Sequence, residues 1–144
     1  MKHFTAPTDS LWQKTYEEYG LNIDLTLPEN VNSLLDAFDD NFARHGDKVA
    51  FVSMDKTITY RELDIYSKQI AAYLQSLGLT KGDKVAVMMP NVLQYPICMI
   101  GIIRAGLTLV NVNPLYTATE LEHQLKDAGA KALFIIENFA KTFE

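Results

Sequence analysis

The sequence predicts an α/β fold built on a parallel βαβαβ unit, with packing helices and an N-terminal β-hairpin. Two short apolar runs, Lys84–Met89 and Leu107–Val112, have the length of buried strands. Between them, Val92–Ala105 is apolar on nearly every side, as expected of a helix that protein surrounds. Two buried strands joined by a helix form a right-handed parallel unit. A further apolar run, Ala132–Ile136, supplies the third strand.

Length and composition exclude several classes of protein. The 144 residues suit one domain with a sizeable core, and the net charge of −5 argues against a nucleic-acid-binding face. The single cysteine, Cys98, lies in the apolar helix, so we expect no disulfide framework and a reducing, cytoplasmic location. The N-terminus has no apolar signal core. The apolar helix has about 14 residues against the ~20 that a membrane span needs, which favours a buried core helix.

Residues 1–31 are predicted to form an N-terminal helix and a linker that precede an incomplete α/β subdomain over 32–144. The helix is expected over Ser10–Tyr19 and the linker over Asn22–Pro28. Three aromatic side chains share one face of this helix: Trp12, Tyr16 and Tyr19. This aromatic face either packs on protein or makes a peripheral contact with a membrane surface, and the acidic residues near it favour packing.

Turn and cap residues predict the elements around the parallel unit. A helix is expected from Asn32 or Ser33 to His45. Strands Val49–Ser53 and Thr57–Tyr60 are predicted to form a hairpin through Met54–Lys56. A capping box at Thr59–Glu62 opens the next helix. Its predicted inward face consists of Leu63, Tyr66, Ile70, Leu74 and Leu77.

The C-terminal part contains a second capping box, Thr117–Glu120, which opens a helix that runs to Ala128. After the third strand, a further helix is expected to begin near Asn138. An α/β domain rarely ends where a new crossover starts, so we expect the sequence to be part of a longer chain.

The sequence predicts no catalytic, cofactor-binding or metal-binding residue. The turn Gly78–Gly82 has the residue types of a phosphate loop, but a helix precedes it and a strand follows it, which reverses the required order. Gly101 and Gly106 have phosphate-loop spacing, yet no Lys-Ser/Thr pair follows them. The adjacent acids Asp39 and Asp40 are expected on a solvated helix face.

One loop contains the substrate-binding candidates, Asn113 and Tyr116. The loop leaves the carboxyl end of a predicted parallel strand, where open α/β sheets bind ligands, and both side chains can form hydrogen bonds. The alternative is that Pro114 simply fixes the turn into the following capped helix, and this structural interpretation is favoured.

Several segments together resemble the adenylate-forming superfamily. Thr59–Leu63 (TYREL) resembles its first conserved motif, and Arg104–Thr117 (RAGLTLVNVNPLYT) resembles its second. Gly82–Asn91 is also typical. Within the superfamily, Met88–Pro96 and Glu120–Gln124 are similar to the bacterial long-chain fatty acid–CoA ligases.

The resemblance implies the N-terminal part of the large domain of an enzyme that makes acyl-AMP from a fatty acid and Mg-ATP. Acyl-CoA then forms from acyl-AMP and CoA. The motifs that hold ATP, Mg²⁺ and CoA in that family have no matching position here, so the 144 residues alone are expected to be inactive. A membrane surface, contacted peripherally, and a second copy in a homodimer are further expected partners. Another acid–CoA ligase, aryl or short-chain, and a non-catalytic scaffold module are the alternatives.

Overall fold

The computed structural model describes residues 11–21 and 31–143, and the chain divides into two units, 1–37 and 38–144. Its helices and strands follow the predicted order, with shifts of one or two residues at several boundaries. The elements are α1 (Leu11–Glu18), α2 (Leu34–His45), β1 (Val49–Ser53), β2 (Lys56–Thr59), α3 (Tyr60–Ser76), β3 (Lys84–Met88), α4 (Gln94–Arg104), β4 (Thr108–Val112), α5 (Ala118–Ala128) and β5 (Ala130–Ile135).

The first unit contains α1 and the beginning of α2. Gly20 has φ +68° just after α1, the left-handed conformation in which glycine commonly ends a helix. The Asp36 carboxylate accepts hydrogen bonds from the backbone N–H groups of Asn32 and Ser33, at 2.8 and 2.9 Å, and so caps α2. The predicted linker Asn22–Pro28 and the cap of α1 lie outside the described residues.

The second unit is built on a three-stranded parallel sheet with the order β4-β3-β5. The central strand β3 is buried from Val85 to Met88. Val85 and Val87 pack with residues of α3 and α4 on one face, whereas Ala86 and Met88 pack with Leu121 of α5 on the other. Helices α4 and α5 therefore cover opposite faces, and the predicted parallel βαβαβ unit is confirmed.

The hairpin turn is shorter than predicted. Its central residues, Met54 and Asp55, have φ values of +50° and +59°, and β2 already begins at Lys56. Two successive positive φ values match the two-residue type I′ turn, whose twist suits antiparallel strands. The prediction that Lys56 belongs to the turn is therefore wrong.

The inward face of α3 differs from the prediction. Tyr66 and Leu77, expected to point inward, are 43% and 53% exposed. Small residues occupy the contact with α4, so the helices approach closely: a Cβ atom on Gly101 of α4 would lie 2.5 Å from Ile70 Cγ2. The buried side chains of α3 are Leu63, Ser67, Ala71 and Leu74.

Arg104, at the end of α4, joins α4 to both α2 and α3. Its guanidinium lies 3.0 Å from Asp39 and 2.9 Å from Asp64, and 5.7 Å from the centroid of the Phe42 ring. The Arg104 side chain is only 14% exposed. Asp39, which we expected on a solvated face, thus has a structural role as a partner of a largely buried cation.

Two further boundaries were misplaced in the sequence analysis. Strand β5 begins at Ala130, two residues before the predicted start, and Ala130 pairs with Lys84 of β3. The segment Glu137–Thr142 forms a 3-10 helix, where we expected the start of an α-helix.

Candidate functional site

The predicted ligand position lies at the carboxyl ends of β3 and β4, two neighbouring strands whose helical connections lead to opposite faces of the sheet. The helix after β3 covers one face, and the helix after β4 covers the other, although the two strands are neighbours. In open α/β sheets, a crevice for ligands forms at the carboxyl ends of such a strand pair. The loop Asn113–Tyr116 leaves β4 at this end of the sheet.

Both candidate side chains lie in this loop, but the turn itself uses part of their hydrogen-bonding capacity. The Asn113 Oδ1 atom accepts a hydrogen bond from the backbone N–H of Leu115 at 3.0 Å. The Asn113 carbonyl accepts one from the N–H of Tyr116 at 3.1 Å. Tyr116 is half-buried against the cluster that includes Val112 and Leu121, whereas Asn113 is exposed. These bonds form a turn into α5, as the structural interpretation of the loop predicts. Ligand binding by Asn113 and Tyr116 stays a prediction.

Asn111 is a site residue that the sequence analysis missed. Tyr95 Oη, in the first turn of α4, donates a hydrogen bond to Asn111 Oδ1 at 2.8 Å. Gln124 Nε2, on α5, donates one to the Asn111 carbonyl at 2.9 Å. These bonds connect both covering helices to β4 just before the candidate loop. No local pattern in the sequence indicates them, because the partners are 16 and 13 residues away.

A polar depression of about 250 Å³ adjoins the loop on the α5 side. The Gln124 Oε1 atom is buried and has no hydrogen-bond partner among the described residues. The lining can form hydrogen bonds to a polar ligand, but it contains no nucleophile held against a base. The lining residues are Tyr116, Glu120, His123, Gln124 and Asp127.

Glu120 is a capping residue in this structure. Its carboxylate accepts hydrogen bonds from the Thr117 backbone N–H and hydroxyl, both at 2.8 Å. These bonds, the backbone one first, lower the pKa of Glu120 below its usual value. An ionised carboxylate that is bonded in this way secures the start of α5 and is a poor general base.

An apolar groove of about 290 Å³ lies between β1 and the start of α4. Ser53 Oγ donates a hydrogen bond to the Asn91 carbonyl across one side of it, at 3.1 Å. The groove has no charged lining residue, so an apolar group would suit it. Its lining consists of Phe51, Val52, Ser53, Asn91, Val92, Leu93, Tyr95, Pro96 and Met99.

The turn Gly78–Gly82 is not arranged as a phosphate loop. In the turn Gly78–Gly82, the Asp83 carboxylate accepts hydrogen bonds from the Thr80 N–H and hydroxyl, at 2.8 and 3.1 Å. A fixed anion thus occupies donors that a phosphate loop would offer to its ligand. Lys131 lies 2.7 Å from the same carboxylate, and its hydrogen bond, followed by that of Thr80, lowers the pKa of Asp83.

A metal-binding cluster and a reactive cysteine are also absent from the described part of the chain. Residues 11–21 and 31–143 contain no group of three His, Cys, Asp or Glu side chains placed to hold a metal ion. Burial raises the pKa of the Cys98 thiol to about 11, so this cysteine is a core residue and not a nucleophile. Within the same residues, no helix is long and apolar enough to cross a membrane.

Residues 38–144 match the model of a family described as AMP-binding enzyme. The chain belongs to the AMP-binding enzyme family. The resemblance to adenylate-forming enzymes, which was inferred from Thr59–Leu63 and Arg104–Thr117, is thereby confirmed.

Curated relatives in the AMP-binding family carry a more specific name. A long-chain-fatty-acid–CoA ligase of Escherichia coli O6:H1 is 56% identical over 118 residues, which are 81% of this chain and 21% of that protein. A protein of the same name from Yersinia pestis is 49% identical over 138 residues, or 94% of this chain and 24% of its own length. The chain thus spans about a fifth to a quarter of the length of these relatives.

Solved structures of AMP-binding enzymes share the fold. The anthranilate CoA ligase AuaEII, solved in complex with anthranoyl-AMP, superposes with a TM-score of 0.74 at 25% sequence identity. The match covers 81% of this chain and 22% of AuaEII. The predicted α/β class with a parallel three-stranded sheet and an antiparallel hairpin is confirmed.

Proposed function

We propose that this chain is the N-terminal part of a long-chain fatty acid–CoA ligase. In the proposed reaction, the fatty acid carboxylate attacks the α-phosphorus of ATP and displaces pyrophosphate, which gives acyl-AMP. The thiol of CoA then attacks the acyl carbonyl carbon, loses its proton and displaces AMP. Mg²⁺ belongs to the proposal as the ion that accompanies ATP, and the reaction is a step of fatty acid metabolism.

The observation that supports this proposal most strongly is the 56% identity to a relative with that name, over 81% of this chain. The structural match to an anthranilate CoA ligase is weaker in sequence, at 25% identity. The sequence similarity therefore favours a long-chain fatty acid over an aryl acid as substrate.

The described residues contribute a scaffold to the proposed enzyme. We assign no catalytic residue among them, because the phosphate-loop candidates Gly78–Gly82 and Gly101 are structural. We also propose that residues 1–31 form an N-terminal helix and linker, and that 32–144 form an incomplete part of the AMP-binding domain. The family match, which begins at residue 38, supports this division.

The substrate comparison is the decisive experiment. The full-length gene product is assayed for ATP-dependent thioester formation with palmitate, anthranilate and acetate. We expect the highest kcat/KM with palmitate. A preference for anthranilate or acetate would contradict the long-chain assignment, and no thioester with any acid would support a non-catalytic scaffold.

The candidate loop can be tested in the same enzyme. We propose that the Tyr116 hydroxyl, with the Asn113 side chain beside it, contributes to substrate binding. Tyr116→Phe should raise the KM for one substrate roughly fivefold, since a lost hydrogen bond is worth about 1 kcal/mol. Tyr73→Phe, which removes a half-exposed hydroxyl on α3, is the matched control. If the KM values for all substrates are unchanged, the loop has only a structural role and the proposal is wrong.

We propose a cytoplasmic enzyme with a peripheral membrane contact through α1. Trp12 and Tyr19 are 54% and 77% exposed, and their rings suit a bilayer interface. Trp12 is the only tryptophan, so its fluorescence reports this helix alone. Vesicles should shift its emission to shorter wavelength, and Tyr19→Ser should weaken the shift. An unshifted spectrum would show that the aromatic face has no membrane role.

A further inference from the structure

Asn111 lies at the open end of one face of β4. Side chains alternate between the two faces of a strand, so Leu107, Leu109 and Asn111 belong to the face that α4 covers. Leu107 is 7% exposed within the apolar cluster beneath α4, and Leu109 is half-buried against the same cluster. Asn111 is exposed. The cover on this face therefore opens towards the carboxyl end of β4, and the side chain at the opening is polar.

The Asn111 amide is held in place from both faces of the sheet. Tyr95 Oη donates a hydrogen bond to Asn111 Oδ1 at 2.8 Å, and the Tyr95 ring packs half-buried against the cluster beneath α4. From the α5 side, Gln124 Nε2 donates one to the Asn111 carbonyl at 2.9 Å. The Asn111 Nδ2 atom has no partner within residues 11–21 and 31–143, so its two N–H donors remain for a ligand.

A fixed N–H donor at this position suits the substrates of the proposed reaction. The carboxyl ends of β3 and β4 are where open α/β sheets bind ligands. Fatty acid, ATP and CoA all present negatively charged oxygen atoms, and hydrogen bonds to such atoms are stronger than those between neutral groups. An amide whose orientation is set in advance also loses little freedom on binding.

We propose that Asn111 is a substrate-binding residue, whose Nδ2 group donates a hydrogen bond to a carboxylate or phosphate oxygen of a ligase substrate. Tyr95 is then the positioning residue that fixes the amide. The inference rests on the proposed ligase function, and it adds to the candidate loop a donor that lies in the strand itself. A purely structural Asn111, which only joins α4 to β4, would use its Oδ1 atom alone.

Two substitutions separate substrate binding from the structural contact. Asn111→Asp keeps an oxygen that can accept the hydrogen bond from Tyr95, but it removes the N–H donors and adds a negative charge. Tyr95→Phe keeps the packed ring and removes only the hydroxyl. A binding role and a structural role therefore predict opposite orders of severity for these two variants.

The kcat and the KM values for palmitate, ATP and CoA are measured with the full-length gene product. Asn111→Asp should raise the KM for one substrate at least roughly tenfold, because it replaces a donor to a charged oxygen by a like charge. Tyr95→Phe should raise the same KM roughly threefold, since the amide loses its fixed orientation. Both variants should change kcat less than KM. The substrate that is affected identifies the oxygen that Asn111 contacts.

Gln75→Glu is the matched control, because it makes the same amide-to-carboxylate change at an exposed position of α3. It should alter none of the KM values. Equal effects of Gln75→Glu and Asn111→Asp would overturn the inference, because the added charge would then act without a contact.

Thermal unfolding of the same full-length proteins should give the reverse order. Tyr95→Phe should lower the unfolding midpoint more than Asn111→Asp does, because only Tyr95→Phe breaks the bond between α4 and β4. Unchanged KM values in Asn111→Asp would overturn the inference. A larger loss of stability in Asn111→Asp than in Tyr95→Phe would also overturn it, since the amide would then contact another part of the chain. A wild-type protein that forms no thioester with palmitate would contradict the proposed function itself, and the inference with it.

Discussion

Replacing Gly101 by alanine should test the close contact between α3 and α4. An added Cβ atom would lie 2.5 Å from Ile70 Cγ2, 2.6 Å from Ile70 Cβ and 3.0 Å from the Ser67 carbonyl oxygen. The Ile70 Cβ and the Ser67 carbonyl belong to, or are fixed by, the backbone of α3. Rotating the Ile70 side chain therefore cannot relieve the overlap, and the two helices must move apart.

The expected loss of stability is the difference between two opposing effects. Inserting a methyl group into a packed core costs about 1–3 kcal/mol, and the anchored neighbours favour the upper end of that range. Alanine is about 1 kcal/mol better than glycine within a helix, which opposes this loss. The free energy of unfolding should therefore fall by about 2 kcal/mol. For a urea dependence of about 1–3 kcal/mol per M, the midpoint should fall by roughly 1 M.

Urea unfolding, followed by circular dichroism, measures this change. Gly78→Ala is a comparison for the opposite case: Gly78 has φ +79° and no atom within 4 Å of an added Cβ, so its loss of about 1–2 kcal/mol should come from backbone strain without overlap. Combining Gly101→Ala with Ile70→Ala removes one overlapping atom and should cost less than the sum of the single changes. If Gly101→Ala is as stable as the wild type, the helices do not cross at this distance and the packing described here is wrong.

Three further predictions concern backbone strain, burial and capping. Gly106 has φ +76°, and an added Cβ would meet only Lys81 side-chain atoms, at 3.7 and 3.9 Å. Gly106→Ala should therefore lower the free energy of unfolding by about 1–2 kcal/mol through backbone strain, and Gly106→Val should lower it more. Equal urea midpoints for the wild type and the variants would contradict this. Cys98 should react with iodoacetamide much more slowly in the folded chain than in urea, and equal rates would mean that α4 is exposed. The folded-state pKa of Glu120 is lowered, so its contribution is present above the unfolded value near 4.5 and is lost as pH falls through the folded pKa. Between pH 6 and pH 3, Thr117→Ala should therefore lose less stability than the wild type, and parallel curves would exclude this contribution.

The local features of the fold were predictable because short-range rules determine them. Both capping boxes form as predicted, with reciprocal hydrogen bonds between Thr59 and Glu62 and between Thr117 and Glu120. Gly106 has φ +76°, the left-handed conformation that is typical of a glycine directly after a helix.

The features that were missed depend on contacts between distant residues. A count of large apolar residues placed Tyr66 inside, but the contact of α3 with α4 is made through small residues such as Ser67 and Gly101. Helical periodicity does not distinguish small residues that permit close packing from neutral surface positions. The bond from Tyr95 to Asn111 was likewise not predictable, since it depends on how α4 lies on the sheet.

The central claim is that the described residues form a scaffold, and that a long-chain ligase needs further residues for catalysis. Pyrophosphate exchange tests this claim most directly. The exchange between labelled pyrophosphate and ATP, with Mg²⁺ and palmitate present, is measured for the full-length gene product and for the 144-residue chain. We predict palmitate-dependent exchange by the full-length protein and none above the blank by the 144 residues. Exchange by the 144-residue chain, or none by the full-length protein, would contradict the account.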